Sequence, residues 1–180
     1  EISVSDTMPR NGAILIGTPE TSPEIAGLDL PLDQAGAEGF VIRAMEIGGR
    51  RAIVIAGNSE IGVLYGAFEF LGQIQTGQAL GAIDIVSAPK IDIRMLNHWD
   101  NLNGFIERGY AGTSLWDWQK LPEYIDPRYT DYARINASIG INGAALNNVN
   151  ANASILTPLY LEKVAALANV FRPYGIKVYL

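Results

Sequence analysis

Apolar residues in the first half of the chain gather in short β-branched runs, whereas in the second half such runs alternate with stretches of helical spacing. The segment GAILIG, starting at Gly12, reads as a strand, and a loop rich in Pro, Ser and Thr follows from Thr18 to Pro23. Residues Gly39 to Ala56, GFVIRAMEIGGRRAIVIA, read as a hairpin. Its two arms flank Gly48-Gly49, a pair able to take the positive φ angles of a tight two-residue turn. Asn58 or Ser59 is placed to cap a helix, in which Ile61, Leu64, Tyr65, Phe68 and Leu71 recur at spacings of three and four. Gly72 or Gly77 is expected to end it. These elements describe a β-rich α+β unit with a helix laid on its sheet.

From Ala88-Pro89 the pattern changes to strand, loop, helix, strand, helix, strand. Ile91–Leu96, Gly143–Asn147 and Ile176–Leu180 are the expected strands. Asp126-Pro127 opens a helix running through Ile139, with Gly140 behind it. Thr157-Pro158 opens another, with Leu161, Val164, Leu167, Ala168 and Phe171 facing inward and Pro173 and Gly175 closing it. Strands alternating with helices predict a parallel sheet with right-handed crossovers. Three such strands leave bare edges, which a parallel sheet does not favour. The fold class expected is therefore an α+β N-terminal domain, residues 1–88, followed by the first three β-strands and two helices of a truncated (β/α)8 TIM barrel, residues 89–180. A compact three-stranded α/β domain is the simpler alternative.

Composition narrows the chemistry. The 180 residues are 48% hydrophobic and 18% charged, which is a folding rather than a disordered composition. A net charge of −6 with no basic cluster disfavours nucleic acid as a partner. There is no cysteine and only one histidine, His98, so a zinc site built from His and Cys is excluded. No apolar run reaches the ~18 residues of a membrane span. Residue 1 is Glu rather than Met, so the natural start is expected to be missing or processed, and localisation stays open.

Barrels of this kind carry their chemistry at the C-terminal ends of the strands. Two polar segments stand there: Leu96 to Trp118, and NNVNAN from Asn147 to Asn152. The first holds all three Trp residues with His98, Asp100, Glu107, Arg108, Tyr110 and Asp117. Aromatic faces beside Asp, Asn and Arg suit a sugar, and Arg108 is able to bind a carboxylate through two parallel hydrogen bonds. Trp99, just past the strand, is expected to face a pocket, whereas Trp116 and Trp118 serve either as pocket lining or as packing. His98 and Asp100 lack a nucleophile between them, and no Ser stands in a G-x-S-x-G elbow, which argues against a triad. An orienting role suits His98 better. Glu107-Arg108 reads either as a local ion pair or as substrate contact. Asn148 and Asn150 offer amides for hydroxyls, or simply satisfy their own loop. No glycine-rich phosphate motif stands between a strand and a helix, so no nucleotide or other cofactor is implied.

Several segments together resemble the α-glucuronidases of glycoside hydrolase family 67. They are Ser87-Ala-Pro-Lys-Ile, Arg94-Met-Leu-Asn-His-Trp-Asp-Asn-Leu, Glu107-Arg-Gly-Tyr-Ala-Gly, Tyr132-Ala-Arg, Ala137-Ser-Ile-Gly-Ile-Asn-Gly and Asn147-Asn-Val-Asn. Upstream, Asn58-Ser-Glu-Ile-Gly-Val-Leu-Tyr-Gly resembles the N-terminal domain of that family. The resemblance implies an N-terminal α+β domain short at its start, a barrel and a dimer-forming helical region. It implies metal-free, inverting hydrolysis of the α-1,2 bond between (4-O-methyl)glucuronic acid and the xylose of xylo-oligosaccharides. Trp99 and Val149 correspond to residues lining the uronic-acid pocket, with Asp100, His98, Asn148, Asn150 and Arg108 as further candidates for substrate binding. The acid and base of the family lie on later strands, beyond Leu180, so this polypeptide alone is expected to be inactive. A non-catalytic carbohydrate-binding module and a different two-domain barrel glycosidase, such as a hexosaminidase-like enzyme, are the competing readings.

Overall fold

The computed structural model describes residues 4, 5, 12–150 and 152–180, and the chain divides into two compact units, Glu1–Lys90 and Ile91–Leu180. The first unit is built on a four-stranded mixed sheet. Its strands are β1 (Ala13–Gly17), β2 (Phe40–Ile47), β3 (Arg50–Gly57) and β4 (Asp84–Ser87), in the order β1-β3-β2-β4. A short helix α1 (Pro23–Ala26) and the longer α2 (Glu60–Gln75) complete it. β1 runs parallel to β3, while β2 pairs antiparallel with both β3 and β4. The turn at Gly48 and Gly49 has φ angles of 57° and 75°, so both glycines are needed, and it pairs Ile47 with Arg50.

Of the two candidate caps for α2, Ser59 does the capping, accepting from Gly62 N at 3.1 Å. Asn58 instead donates to Leu32 O and Gly36 O, tying the helix start to the preceding loop. The stripe expected to be buried is shifted. Gly62, Tyr65, Gly66 and Phe70 are buried, whereas Ile61, Leu64 and Phe68 are only partly covered and Leu71 is exposed. Two glycines explain the rotation, because they let the helix backbone approach the sheet. A Cβ on Gly62 would stand 2.3 Å from Gly39 O, and one on Gly66 would stand 2.9 Å from Ile55 Cγ2. A hydrophobic pattern gives glycine no weight and so misplaces the seam. The helix stops at Thr76, whose hydroxyl donates to Gly72 O, and Gly77 follows with φ 70°. The other face of the sheet closes on Ile25 of α1 against Val54 and Ala56.

The second unit holds three parallel strands, β5 (Met95–Asn97), β6 (Gly143–Ala145) and β7 (Lys177–Tyr179), in that order. Helix α3 (Pro127–Ser138) lies between β5 and β6 in the chain, and α4 (Pro158–Phe171) between β6 and β7. The strands are shorter than their apolar runs. Ahead of β5, the Asn142 side chain does the pairing: Oδ1 accepts from Arg94 N and Nδ2 donates to Asp92 O. Ile91 and Ile93 stay exposed there instead of entering the sheet.

Asp126 caps α3 through its carboxylate, Pro127 takes the first turn, and Gly140 follows the helix with φ 77°. On α4, Val164, Leu167 and Phe171 are buried but Leu161 is exposed and Ala168 only half-buried. The inward stripe runs through Tyr160 instead, whose ring meets Trp118 at 6.2 Å. The core of this unit gathers Trp116, Trp118, Tyr129, Leu146, Leu167 and Phe171. Its largest members come from the β5–α3 loop, so that loop is part of the fold.

Candidate functional site

The two polar loops leave adjacent strand ends. Asn97 pairs with Ala145, His98 N donates to Ala145 O at 3.0 Å, and the chain then departs the sheet. Side chains alternate across extended backbone. His98 and Asp100 accordingly turn inward while Trp99 between them is 44% exposed.

His98 is held from two sides. Its Nε2 lies 2.7 Å from the Tyr132 hydroxyl on α3, and its Nδ1 lies 3.7 Å from Asp100 Oδ2. The edge of its ring meets Trp116 at 5.1 Å. Burial pushes its pKa below the ordinary histidine value, with the Asp100 carboxylate partly opposing the shift. A neutral ring with its proton on Nδ1, facing the carboxylate, leaves Nε2 to accept from Tyr132. Burial likewise pushes the Tyr132 hydroxyl upward, so it stays a donor.

Asp100 is 3% exposed and works for the loop. Its Oδ1 accepts from the Ser114 hydroxyl and from Leu115 N. Ser114 in turn accepts from Trp116 N, which sets the tryptophan into the core. Trp116 and Trp118 are both buried, so of their two readings the packing one holds. Arg108 is exposed beside Gly109. The carboxylate of Glu107 accepts from Asn148 Nδ2 at 3.3 Å, and its backbone N donates to Trp99 O at 2.8 Å.

The β6 loop is stitched to this base. Asn148, 3% exposed, donates its backbone N to Asp100 O at 2.8 Å and accepts from Asn150 N at 2.9 Å through Oδ1. Val149 is 75% exposed and Asn150 is exposed. Asn147 keeps a buried Oδ1 with no partner among the described residues. The structure thus brings the partly buried His98 together with the buried Asp100 and Asn148 at these strand ends, with Trp99 and Val149 exposed on the neighbouring turns. Arg108 and Asn150 are solvent-facing. Sequence reasoning passed over Ser114 and gave Tyr132 no role beyond its place in a family-resembling segment, since isolated hydroxyls carry no periodic signal, and it weighed Glu107 as an ion-pair or substrate residue.

Chemically, an exposed indole and an apolar valine on a hydrogen-bonded base suit the CH-rich face of a pyranose. The nearby carboxylates are otherwise engaged, since Asp117 pairs with Lys120 at 2.9 Å. Among the described residues no cluster of three His, Asp or Glu is placed to hold a metal ion, and no helix is long and apolar enough to cross a membrane. The first unit carries an open groove of about 630 Å³, lined by Ile14, Ile53, Phe70 and Ile74 with Glu46 and Arg51 at its border. With few polar groups, it is a poor match for a sugar.

Residues 1–70 match the model of the glycosyl hydrolase family 67 N-terminus, and residues 73–180 match that of the glycosyl hydrolase family 67 middle domain. The chain belongs to glycosyl hydrolase family 67. It is 38% identical to a probable alpha-glucuronidase A of Aspergillus fumigatus over 168 residues, 93% of this chain and 19% of that protein. It is 36% identical to alpha-glucuronidase A of Emericella nidulans, over 94% of this chain and 20% of that one. The family 67 chain therefore spans about a fifth of the length of the curated relatives it matches. Among solved structures, CpGH84B shares the fold with a TM-score of 0.59 at 15% identity, over 99% of this chain and 34% of that one.

Proposed function

We propose that this chain is part of an α-glucuronidase, a glycoside hydrolase that releases (4-O-methyl)glucuronic acid from its α-1,2 linkage to xylose in xylo-oligosaccharides, and so acts in xylan degradation. Residues 1–88 form its N-terminal domain, and residues 89–180 open a (β/α)8 barrel that further polypeptide completes. Trp99 and Val149 form one wall of the uronic-acid pocket. Arg108 and Asn150 reach the substrate from the rim, and His98, Asp100 and Asn148 hold the wall from behind. The acid and base of an inverting hydrolysis, carboxylates ~6.5–9.5 Å apart across the sugar, come from later strands, and the whole enzyme is a homodimer.

One observation carries this reading: Trp99 and Val149 stand exposed on turns that leave neighbouring parallel strands and are joined by Asn148 N donating to Asp100 O. The membership in family 67 supports the chemistry, and the internal engagement of Asp100, Glu107 and Asp117 supports a chain that does not turn over alone. The test is hydrolysis of an aldouronic acid by the complete protein, followed by proton NMR. Release of β-glucuronic acid, with none from the 180-residue chain, is expected. Activity on aryl-hexosaminides in its place, or saccharide binding by a complete protein without hydrolysis, would replace the assignment.

A further inference from the structure

Glu107 is the single described residue other than glycine with a positive φ, at 52°. Left-handed backbone disfavours any residue with a Cβ, and such strain persists where the surroundings require it. The loop meets the same demand with glycine at Gly104, Gly109 and Gly112. The two main-chain contacts of Glu107 would survive in a glycine: N donates to Trp99 O at 2.8 Å, and O accepts from Asn101 Nδ2 at 2.5 Å. What glycine lacks is the carboxylate, whose Oε2 accepts from Asn148 Nδ2.

Asn148 is buried, and each of its polar groups is engaged. Its N donates to Asp100 O, its Nδ2 to Glu107, and its Oδ1 accepts from Asn150 N. Val149 is therefore carried between two tethered residues, while Glu107 also holds the carbonyl of Trp99. One residue thus spans both turns of the wall, its main chain on Trp99 and its side chain on Asn148.

We propose that Glu107 is a positioning residue, which uses Asn148 to set Val149 against Trp99 at the spacing a pyranose ring requires. This rests on the reading of Trp99 and Val149 as a sugar-facing wall. Glu107 itself makes no contact with the reacting atoms.

The experiment compares E107G and E107Q in the complete enzyme, with an aldouronic acid as substrate. E107G relieves the left-handed strain but frees the unfolded chain, two comparable effects, and it leaves the buried Asn148 Nδ2 without its acceptor, so the variant should fold with a Tm lowered by only a few degrees. Its KM should rise about tenfold with kcat changed less than about threefold, as expected when binding shared by ground and transition states is lost. E107Q keeps an acceptor oxygen and should restore KM to within about twofold of wild type. Wild-type KM in E107G would overturn the proposal, as would a loss confined to kcat or an E107G that does not fold. Equal impairment in E107Q would do so too, since charge rather than placement would then matter. An inactive wild type would instead sink the functional reading, and this inference with it.

Discussion

At the scale of single residues, His98 is the most informative side chain in the second unit. It faces two titratable groups, Asp100 from its own loop and Tyr132 from α3, and packs on the neutral ring of Trp116. Its folded pKa is lowered, so the folded state resists a proton that the unfolded state accepts near pH 6.5. Its contribution to stability is therefore present above that value and declines as pH falls from there toward the lowered folded value. The expected outcome is a drop in denaturation midpoint across that window, with a shallower drop in H98Q. Equal slopes in wild type and variant would show that His98 titrates alike in both states. That His98 and Asp100 share a side of the strand follows from alternation along extended backbone alone. That their shared side faces α3 and the loop's own Ser114 was hidden, since those partners lie 14 to 34 residues away.

Elements tell a different story from residues, because helix boundaries came through more clearly than helix faces. The cap at Asp126 and the glycine after α3 were readable from local chemistry, whereas for α2 that chemistry narrowed the cap to Asn58 or Ser59 and the end to Gly72 or Gly77. The buried face of α2 was not, because its closest contacts are made where a side chain is missing. This supplies a direct contrast. A mid-helix Gly→Ala change ordinarily gains up to about 1 kcal/mol. Gly72 has open space around its Cβ position, so G72A should gain stability on that scale. G62A should instead lose about 1–3 kcal/mol or more, because its methyl meets the backbone oxygen of Gly39, which no rotamer change moves away. Urea midpoints decide between them, and the two variants shifting in the same direction would refute the seam. The strands β5 to β7 show the converse lesson. Their apolar runs marked the right places but overstated their length, and ahead of β5 this is because the Asn142 side chain takes over the pairing that main chain was expected to supply.

Across the whole molecule, the three tryptophans all fall in the second unit and occupy two contrasting environments. Trp116 and Trp118 are buried among Tyr129, Tyr160 and Phe171, and Trp99 alone is open to solvent. Composition disclosed the aromatic wealth of this region, but only the fold divides it into two core residues and one surface residue. That division follows from Asp100 and Ser114, which draw the loop back over the sheet and leave Trp99 on the outer side of the strand end. Emission should accordingly separate into a blue-shifted majority that iodide scarcely quenches and a red-shifted minority that it quenches readily. W99F should abolish the quenchable part while leaving the unfolding midpoint nearly unchanged, because a half-exposed ring gives up little buried area. Should W99F leave quenching intact, a buried tryptophan must be reaching solvent, and the loop would not be the fixed platform on which a sugar-binding wall could stand.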